Sequence, residues 1–520
     1  DVRKRCIDFS PAMCSAFRDH LIEKYQGDEQ LLRSAWDDES VTFSSVQIPD
    51  LAERTTGDFG YFRDPGKSQK CLDYAECHNE TASDKLEYFG KICKEESDDR
   101  AVVGAFWGYL QNQDIQMGGH ARFKKLLDSP YVDIWSSPFT YENRFCGNFA
   151  SMRMAIQTLN CHNKLFFAEV DTFLSDTRVS DLKVHNYPDQ SKSDDEAVLK
   201  RDFVYPFCEG ANGWWIDWCS GVSQYRKDGL RPLMRKLREI GEEGFKRPRG
   251  NVSDVAAAID QESLLIPACN SYNHFDGSDT IHSVRLMRHN LDRFRVHELC
   301  RLGTPVDFYE TDDILEGREY RLYIFMNQYA ASSRERRLID EKLKKNGHVL
   351  VWMYGCGIIG PNREISLENA EALTDIRFGC EMRETESRMR LAPAASELGL
   401  EPGLEIGCFD RPIGGRRQGR GKVCEPSLIN PVLYADDPGA ETVAEYLDGG
   451  KPGFAIKKFE GWTSVYIGSP GVSASVLRAL AKLAGVHRYV DGEDIVFANQ
   501  SYLGIHTNTD GMRSIHLKAN

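Results

Sequence analysis

The sequence has no Cys-x-x-Cys pair, no excess of basic residues, no apolar run longer than a strand and no initiator Met. Each absence excludes something. Without Cys-x-x-Cys spacing neither a zinc ribbon nor a thioredoxin-like motif is encoded, although there are 15 cysteines, an odd number. With 65 Lys+Arg against 79 Asp+Glu the net charge is −14, the wrong sign for a nucleic-acid binder. The longest apolar stretches, such as Ala101–Leu110 and Leu322–Met326, fall short of the roughly 18 residues of a membrane-spanning helix. The chain opens Asp1-Val-Arg with no apolar leader and is expected to be a mature chain or a fragment.

What is present is the composition of a folded protein: 520 residues, 41% hydrophobic, 28% charged and 11% aromatic. That length predicts roughly three or four domains of about 150 residues. Cys71, Cys77 and Cys93 lie close in sequence and fit a disulfide with a free thiol, a metal half-site or three buried thiols. Buried thiols are favoured, because a free Cys behaves as a small hydrophobe. Sequons at Asn79, Asn251 and Asn499 occur at the frequency chance gives.

The first 230 residues alternate short apolar strands with helical stretches, the pattern of a parallel α/β architecture. The strand candidates are Val102–Tyr109, Val132–Pro138, Lys164–Val170 and Gly213–Trp218, with helix-like segments at Gly119–Leu127, Asn148–Leu159 and Asp194–Cys208. Ser10 and Pro11 open a helix reaching Tyr25, and the stretch from there through Lys67 reads as irregular. Four such βα units make half of an eight-stranded barrel or, alternatively, a small open sheet.

From about Arg249 the pattern restarts. Val252–Ile259 and Ser263–Leu265 mark a first strand, Leu291–Leu302 a helix, Val306–Tyr309 and Tyr320–Met326 strands, Ser332–Lys345 a helix and His348–Met353 a strand. This predicts a second, doubly wound domain. Residues from about Leu367 to Tyr434 read as an inserted β excursion or loop, with a Gly- and Arg-rich run at Gly414–Gly421. Strands at Phe454–Lys458 and Thr463–Ile467 and a helix at Ser473–Ala484 return to the domain, and Ile495–Leu517 reads as a small β module.

The third strand candidate ends Phe166-Phe-Ala-Glu-Val-Asp-Thr172, which sets a carboxylate where an apolar strand emerges. A Glu there is costly unless paired or functional. Glu169 is thus either a catalytic group or half of a structural ion pair with Arg144 or Arg201. Trp107, Tyr109, Trp135, Tyr141, Trp214, Trp215 and Trp218 fall at or near strand ends, and so many flat aromatic faces suit a sugar ring. Taken singly, each tryptophan is equally a core residue.

One resemblance unites these segments. Asp8-Phe-Ser-Pro11, Ala16-Phe-Arg-Asp-His-Leu21, Lys24-Tyr25, Leu32-Arg-Ser-Ala-Trp36, Val103-Gly-Ala-Phe-Trp-Gly-Tyr109, Ser136-Ser-Pro138, Glu169-Val-Asp-Thr172 and Gly213-Trp-Trp-Ile-Asp217 follow one another in order. Gly303-Thr-Pro-Val-Asp307, Asn346-Gly-His-Val-Leu-Val-Trp352 and Ala484-Gly-Val-His487 continue it. In this collinear order the chain resembles the β-galactosidase proteins related to glycoside hydrolase family 42.

The resemblance implies a retaining glycosidase that takes a carbohydrate substrate and needs no metal or cofactor. Residues 1–248 would be the C-terminal half of a (β/α)8 barrel, 249–490 an amidotransferase-like trimerisation domain with the insertion at about 367–434, and 491–520 a small β module. The nucleophile, a Glu ending strand seven, maps onto Glu169. Trp107, Tyr109, Tyr141, Arg144, Trp214, Trp215 and Asp217 would line the substrate. The acid/base, a Glu ending strand four, would precede the Ser10 helix, and residues 1–9 contain no Glu. Phe173-Leu174 also departs from the basic residue expected after the nucleophile.

Two other motifs are weaker. Tyr354-Gly-Cys-Gly357 follows a strand, but its glycines flank Cys356 directly, not two places away as a nucleophile elbow requires. Gly414–Gly421 follows no clear strand and opens no helix, so it is a poor phosphate cradle. Two function classes remain: a glycosidase, or a non-catalytic carbohydrate-binding or assembly protein with a glycosidase's pocket.

Overall fold

The computed structural model describes residues 8–110, 118–140, 143–175, 191–217, 224–226, 229–268, 286, 289–407 and 427–518. Helix α1 (Pro11–Lys24) starts as its sequence dictates: the Ser10 side chain accepts from the Met13 N–H and Pro11 occupies the first turn. The next stretch is not irregular. It contains α2 (Glu29–Trp36) and α3 (Leu51–Thr55), capped by Asp28 and Asp50, and leads into the 32-residue α4 (Pro65–Glu96). The inward face of α4 carries Asp73, Asn79 and Ser83, all wholly buried, which blurs its apolar periodicity. Asp73 accepts from the Tyr25 hydroxyl and the Trp36 indole, each at 2.7 Å, and pairs with Lys24 at 2.9 Å. A helix rises about 1.5 Å per residue, so Cys71, Cys77 and Cys93 are strung along α4 and cannot close a disulfide or a metal site together. Cys71 and Cys77 are buried and Cys93 is exposed.

All four predicted strands of the first region form: β1 (Gly104–Phe106), β2 (Ile134–Pro138), β3 (Leu165–Val170) and β4 (Asn212–Trp215). They pair in parallel in the order β1-β2-β3-β4. The intervening helices are shorter than expected at α5 (Lys124–Leu127) and α6 (Ile156–Cys161), and as expected at α7 (Lys192–Cys208); α8 (Leu230–Gly244) follows. Side chains alternate across the sheet. Trp135, Phe166, Ala168 and Val170 are buried on the face the helices cover. The other face carries Phe106, Ile134, Phe167, Glu169 and Trp214, and Phe106 and Trp214 are 52% and 41% exposed.

The second sheet begins with β5 (Val255–Ile259), β6 (Asp307–Glu310), β7 (Leu322–Phe325) and β8 (His348–Met353). Between β5 and β6 the Leu291–Leu302 helix is wound as a π-helix over His289–Glu298 and a 3-10 turn over Leu299–Arg301. The Ser332–Lys345 helix likewise runs as an α-helix, Ser333–Leu338, then a π turn, Ile339–Leu343. Past β8 and a helix at Leu367–Thr374 come β9 (Phe378–Glu381), β10 (Thr385–Glu386), β11 (Met389–Leu391), β12 (Glu405–Ile406), β13 (Leu428–Ile429), β14 (Val432–Ala435), β15 (Glu441–Tyr446), β16 (Pro452–Phe459) and β17 (Trp462–Ile467).

Nine of these strands form one sheet in the order β12-β11-β15-β16-β17-β8-β7-β5-β6. Its β17-β8-β7-β5-β6 part is parallel, a flavodoxin-like order, and β16, β15, β11 and β12 extend it antiparallel. The predicted excursion is thus partly built into the sheet through β11 and β12. The run Gly414–Gly421 lies outside the described residues.

After the helix Ala474–Leu483, β18 (Ile495–Ala498) and β19 (Leu503–His506) make a hairpin. Phe497 packs against Phe149 and Tyr205 at ring distances of 5.9 and 5.2 Å, joining the hairpin to the first sheet's helices. One continuous core spans both sheets. Arg295, fully buried, ties them: it stacks over Phe308 at 3.5 Å and donates to the Met152 carbonyl and the Tyr205 hydroxyl.

Candidate functional site

Glu169 sits at the C-terminal end of β3, between Pro138 of β2 and Trp214 of β4 in the sheet register. It is 7% exposed. Among the described residues no group donates a hydrogen bond to its carboxylate. Burial raises its pKa above the ordinary glutamate value and the neighbouring Asp171 adds to this, while Arg144 and Arg153 pull the other way.

Neither arginine proposed as an ion-pair partner reaches it. Arg144, fully buried, pairs with Asp171 at 2.6 Å and donates to the backbone carbonyls of Phe139, Thr140 and Asp171. Arg201 pairs with Asp202 at 2.7 Å and donates to the carbonyls of Arg144, Phe145 and Asn148. Both staple the loop that follows β2. The structural ion-pair reading of Glu169 is therefore corrected.

A chain of contacts joins Glu169's neighbourhood to the end of β1. Arg153 donates to the carbonyl of Pro138, at 3.1 Å, and lies 5.2 Å over the Tyr109 ring. Tyr109 packs on His120 with centroids 4.8 Å apart, and His120 meets Trp107 edge-on at 4.7 Å. Among the described residues the Trp107 indole N–H and the His120 Nδ1 are buried without a hydrogen-bond partner. Burial, reinforced by the positive Arg153, lowers the His120 pKa to about 4, so its imidazole is neutral near neutral pH. The indole N–H is a donor, the imidazole nitrogen a donor or an acceptor according to its tautomer, and a polar molecule beside them can satisfy both.

The remaining predicted residues divide. Trp214 shares Glu169's face. Trp215, one residue on, points to the opposite face, where it packs near Leu174, Leu199 and Tyr225 and lines a cavity of about 240 Å³ beside α7 and α8. Its assignment to the substrate side is corrected, since adjacent strand residues face opposite ways. Asp217 is exposed past β4 and accepts from the Gln224 backbone N–H at 3.3 Å. Tyr141 and Trp218 lie outside the described residues. His120 and Arg153 were not picked out from the sequence; a cation inside the apolar run Ala150–Ala155 was the available signal for Arg153.

In the second sheet Cys356 is buried between Gly355 and Gly357, whose φ values are 79° and 66°. Burial pushes its thiol pKa far up, the reverse of what a nucleophile needs. Among the described residues no group of His, Cys, Asp and Glu is arranged to hold a metal ion, and no helix is long and apolar enough to cross a membrane.

No protein-family model matches the chain, and no curated protein matches it. Solved structures do. A GH42 β-galactosidase from G. stearothermophilus, in a catalytic-mutant form, aligns with TM-score 0.57 at 14% identity, over 94% of this chain and 68% of its own. The β-galactosidase of Bacillus circulans sp. alkalophilus aligns with TM-score 0.53 at 14% identity, over 96% and 71%. That of the haloarchaeon Halorubrum lacusprofundi gives TM-score 0.53 at 13% identity, over 95% and 70%. The chain shares the fold of these proteins.

Proposed function

We propose that this chain bears the nucleophile and part of the sugar site of a retaining glycoside hydrolase acting on β-galactosides or related glycosides. The observation that carries the reading is Glu169, a buried carboxylate that receives no hydrogen bond among the described residues, ending a parallel strand beside Trp214. The fold shared with GH42 β-galactosidases supports it.

In this reading β1 to β4 are strands five to eight of a (β/α)8 barrel, and their open face is the barrel interior. Trp214, Trp107 and Tyr109 offer aromatic surface to the sugar, and the Trp107 N–H and neutral His120 meet its hydroxyls. Glu169 attacks the anomeric carbon, the leaving oxygen takes a proton from a second carboxylate, and water then cleaves the glycosyl ester. The positive charge developing on the sugar ring favours ionised Glu169 when it must attack, offsetting the rise that burial imposes.

Of the in-chain candidates for the proton donor, Asp171 is held by Arg144 and Asp217 is exposed on a loop. Glu142 lies outside the described residues. No described residue is assigned as the acid/base. The domain built on the nine-stranded sheet is the proposed trimerisation unit, and sedimentation equilibrium finding a monomer at micromolar concentration would remove that part.

The test is covalent trapping with 2-deoxy-2-fluoro-β-galactosyl fluoride. Fluoride departs with little protonation, so labelling depends on the nucleophile and not on the acid. Mass spectrometry is expected to find the fluorosugar on the peptide containing Glu169. Saturable galactose binding with no label would favour the second reading, a non-catalytic carbohydrate-binding protein. Absence of both binding and label defeats both.

A further inference from the structure

A second cluster of unmet groups lies on the covered face of the first sheet, the side away from Glu169. Between β4, α7 and α8 is the cavity of about 240 Å³ that Trp215 lines. Its walls are mainly aromatic and aliphatic. Phe203 and Phe207 of α7 stack with ring centroids 5.3 Å apart, and Phe245, 68% exposed, stands just past the end of α8. Gly241 forms part of the α8 wall. A glycine inside a helix costs about 1 kcal/mol relative to alanine, yet a methyl group at this position would meet the Phe203 ring at 3.6 Å, an ordinary contact. Packing does not demand the glycine, and its presence leaves the space open.

The charges around this cavity pair off, with one exception. Asp202 takes Arg201 at 2.7 Å and the Thr172 hydroxyl at 2.8 Å. Glu242 takes Arg238 at 2.9 Å, and Glu243 takes Lys246 and Arg247 at 3.2 and 3.6 Å. Glu239, also on α8, does not line the cavity. That leaves Arg249, which is part-buried and lies over the Phe245 and Phe207 rings at 4.8 and 5.9 Å. Among the described residues no carboxylate or carbonyl accepts from it. A guanidinium held by aromatic faces keeps its N–H groups for a further partner. The Trp215 indole N–H is likewise buried without a hydrogen-bond partner among the described residues.

Both unmet groups are donors and one is charged, so the occupant they fit is an anion; the walls ask for an apolar body attached to it. A carboxylate matches the planar fork of a guanidinium, and a charge-assisted bond of this kind is about twice as strong as a neutral one. We propose that this cavity binds a small organic carboxylate with a flat apolar body, its carboxylate on the Arg249 guanidinium and its body against Phe203, Phe207 and Trp215. The site lies on the opposite face of the sheet from Glu169 and does not depend on the glycosidase reading.

The test is calorimetric titration of the 520-residue chain with sodium 4-phenylbutanoate, with 4-phenylbutanol and sodium acetate as parallel titrants. The expected result is saturable one-to-one binding of 4-phenylbutanoate, at least about tenfold tighter than either the alcohol or acetate, the worth of a hydrogen bond to a charged group. Arg249→Gln is expected to lose that advantage and leave the alcohol unchanged. Equal binding of carboxylate and alcohol would make this an apolar hole and overturn the proposal. Equal binding of acetate would show that the apolar walls take no part, and overturns it too. So would no binding of 4-phenylbutanoate, or unchanged affinity in Arg249→Gln. Should Arg249→Gln not fold, Gly241→Leu, which fills the cavity without altering charge, is expected to abolish 4-phenylbutanoate binding, and retention of binding overturns the proposal equally.

Discussion

The two parallel sheets are made from similar strands but meet their surroundings differently. β5, β6, β7 and β8 are buried at every position, and Phe325 stacks on Trp352 with ring centroids 4.4 Å apart. In β1 to β4 one face is covered and the other stays open, with Phe106 and Trp214 exposed and Glu169 at its rim. A strand covered on both sides contributes to stability along its whole length. A strand covered on one side leaves its remaining side chains for a ligand or for further polypeptide, and a carboxylate there can react.

That contrast can be broken most decisively at Glu169. Glu169→Gln is expected to slow fluorosugar trapping at least about 10³-fold, about 4 kcal/mol of barrier at 1.36 kcal/mol per factor of ten. Time-resolved intact-mass measurement reads this, and unchanged labelling would move the nucleophile elsewhere.

Next in size is the difference in packing. Phe325→Ala, in the doubly covered sheet, should cost about 3–5 kcal/mol of unfolding free energy, while Phe106→Ala on the open face should change it by no more than about 0.5 kcal/mol. Denaturant melts of the two variants compare them directly. A large loss for Phe106→Ala would mean that its face is covered in solution.

Smaller still is the effect of one unpartnered donor. Trp107→Phe keeps an aromatic ring but removes the indole N–H, and should weaken galactose binding about 2- to 10-fold, the worth of one hydrogen bond, besides the Tm lost by shrinking a buried ring. A fall in Tm with unchanged affinity would make Trp107 a core residue and nothing more.

The smallest expected effect concerns pH. The folded-state pKa of Glu169 is raised, so the folded protein holds this proton more tightly than the unfolded chain does. Ionising it at neutral pH therefore costs stability, and the cost fades as pH falls to the unfolded value near 4. Glu169→Gln should raise Tm modestly at pH 7, with the gain shrinking toward pH 4. Melting curves showing a loss at pH 7 would mean that the carboxylate is stabilised by a partner.

Legibility in the sequence followed local contrast. Strands such as His348–Met353 stand out because both faces are apolar, and α1 because Ser10 and Pro11 mark its start. α4 was hidden because its buried face is partly polar, with Asp73 satisfied by Tyr25, Trp36 and Lys24 from the adjoining helical region. In the site, Glu169 was visible as a charge closing an apolar strand. His120 was not, because nothing nearby in sequence says that it meets Trp107 and Tyr109.

From the residues alone came the alternation of strands and helices and a carboxylate at the end of β3. Only the tertiary structure decided which face of each strand is covered, so that Trp214 stands with Glu169 and Trp215 turns away, and which carboxylates Arg144 and Arg201 take. The reason is physical. Alternation along a strand defines two faces, but whether either is buried depends on helices and loops distant in the chain, and a buried charge takes the partner that those distant contacts bring within reach.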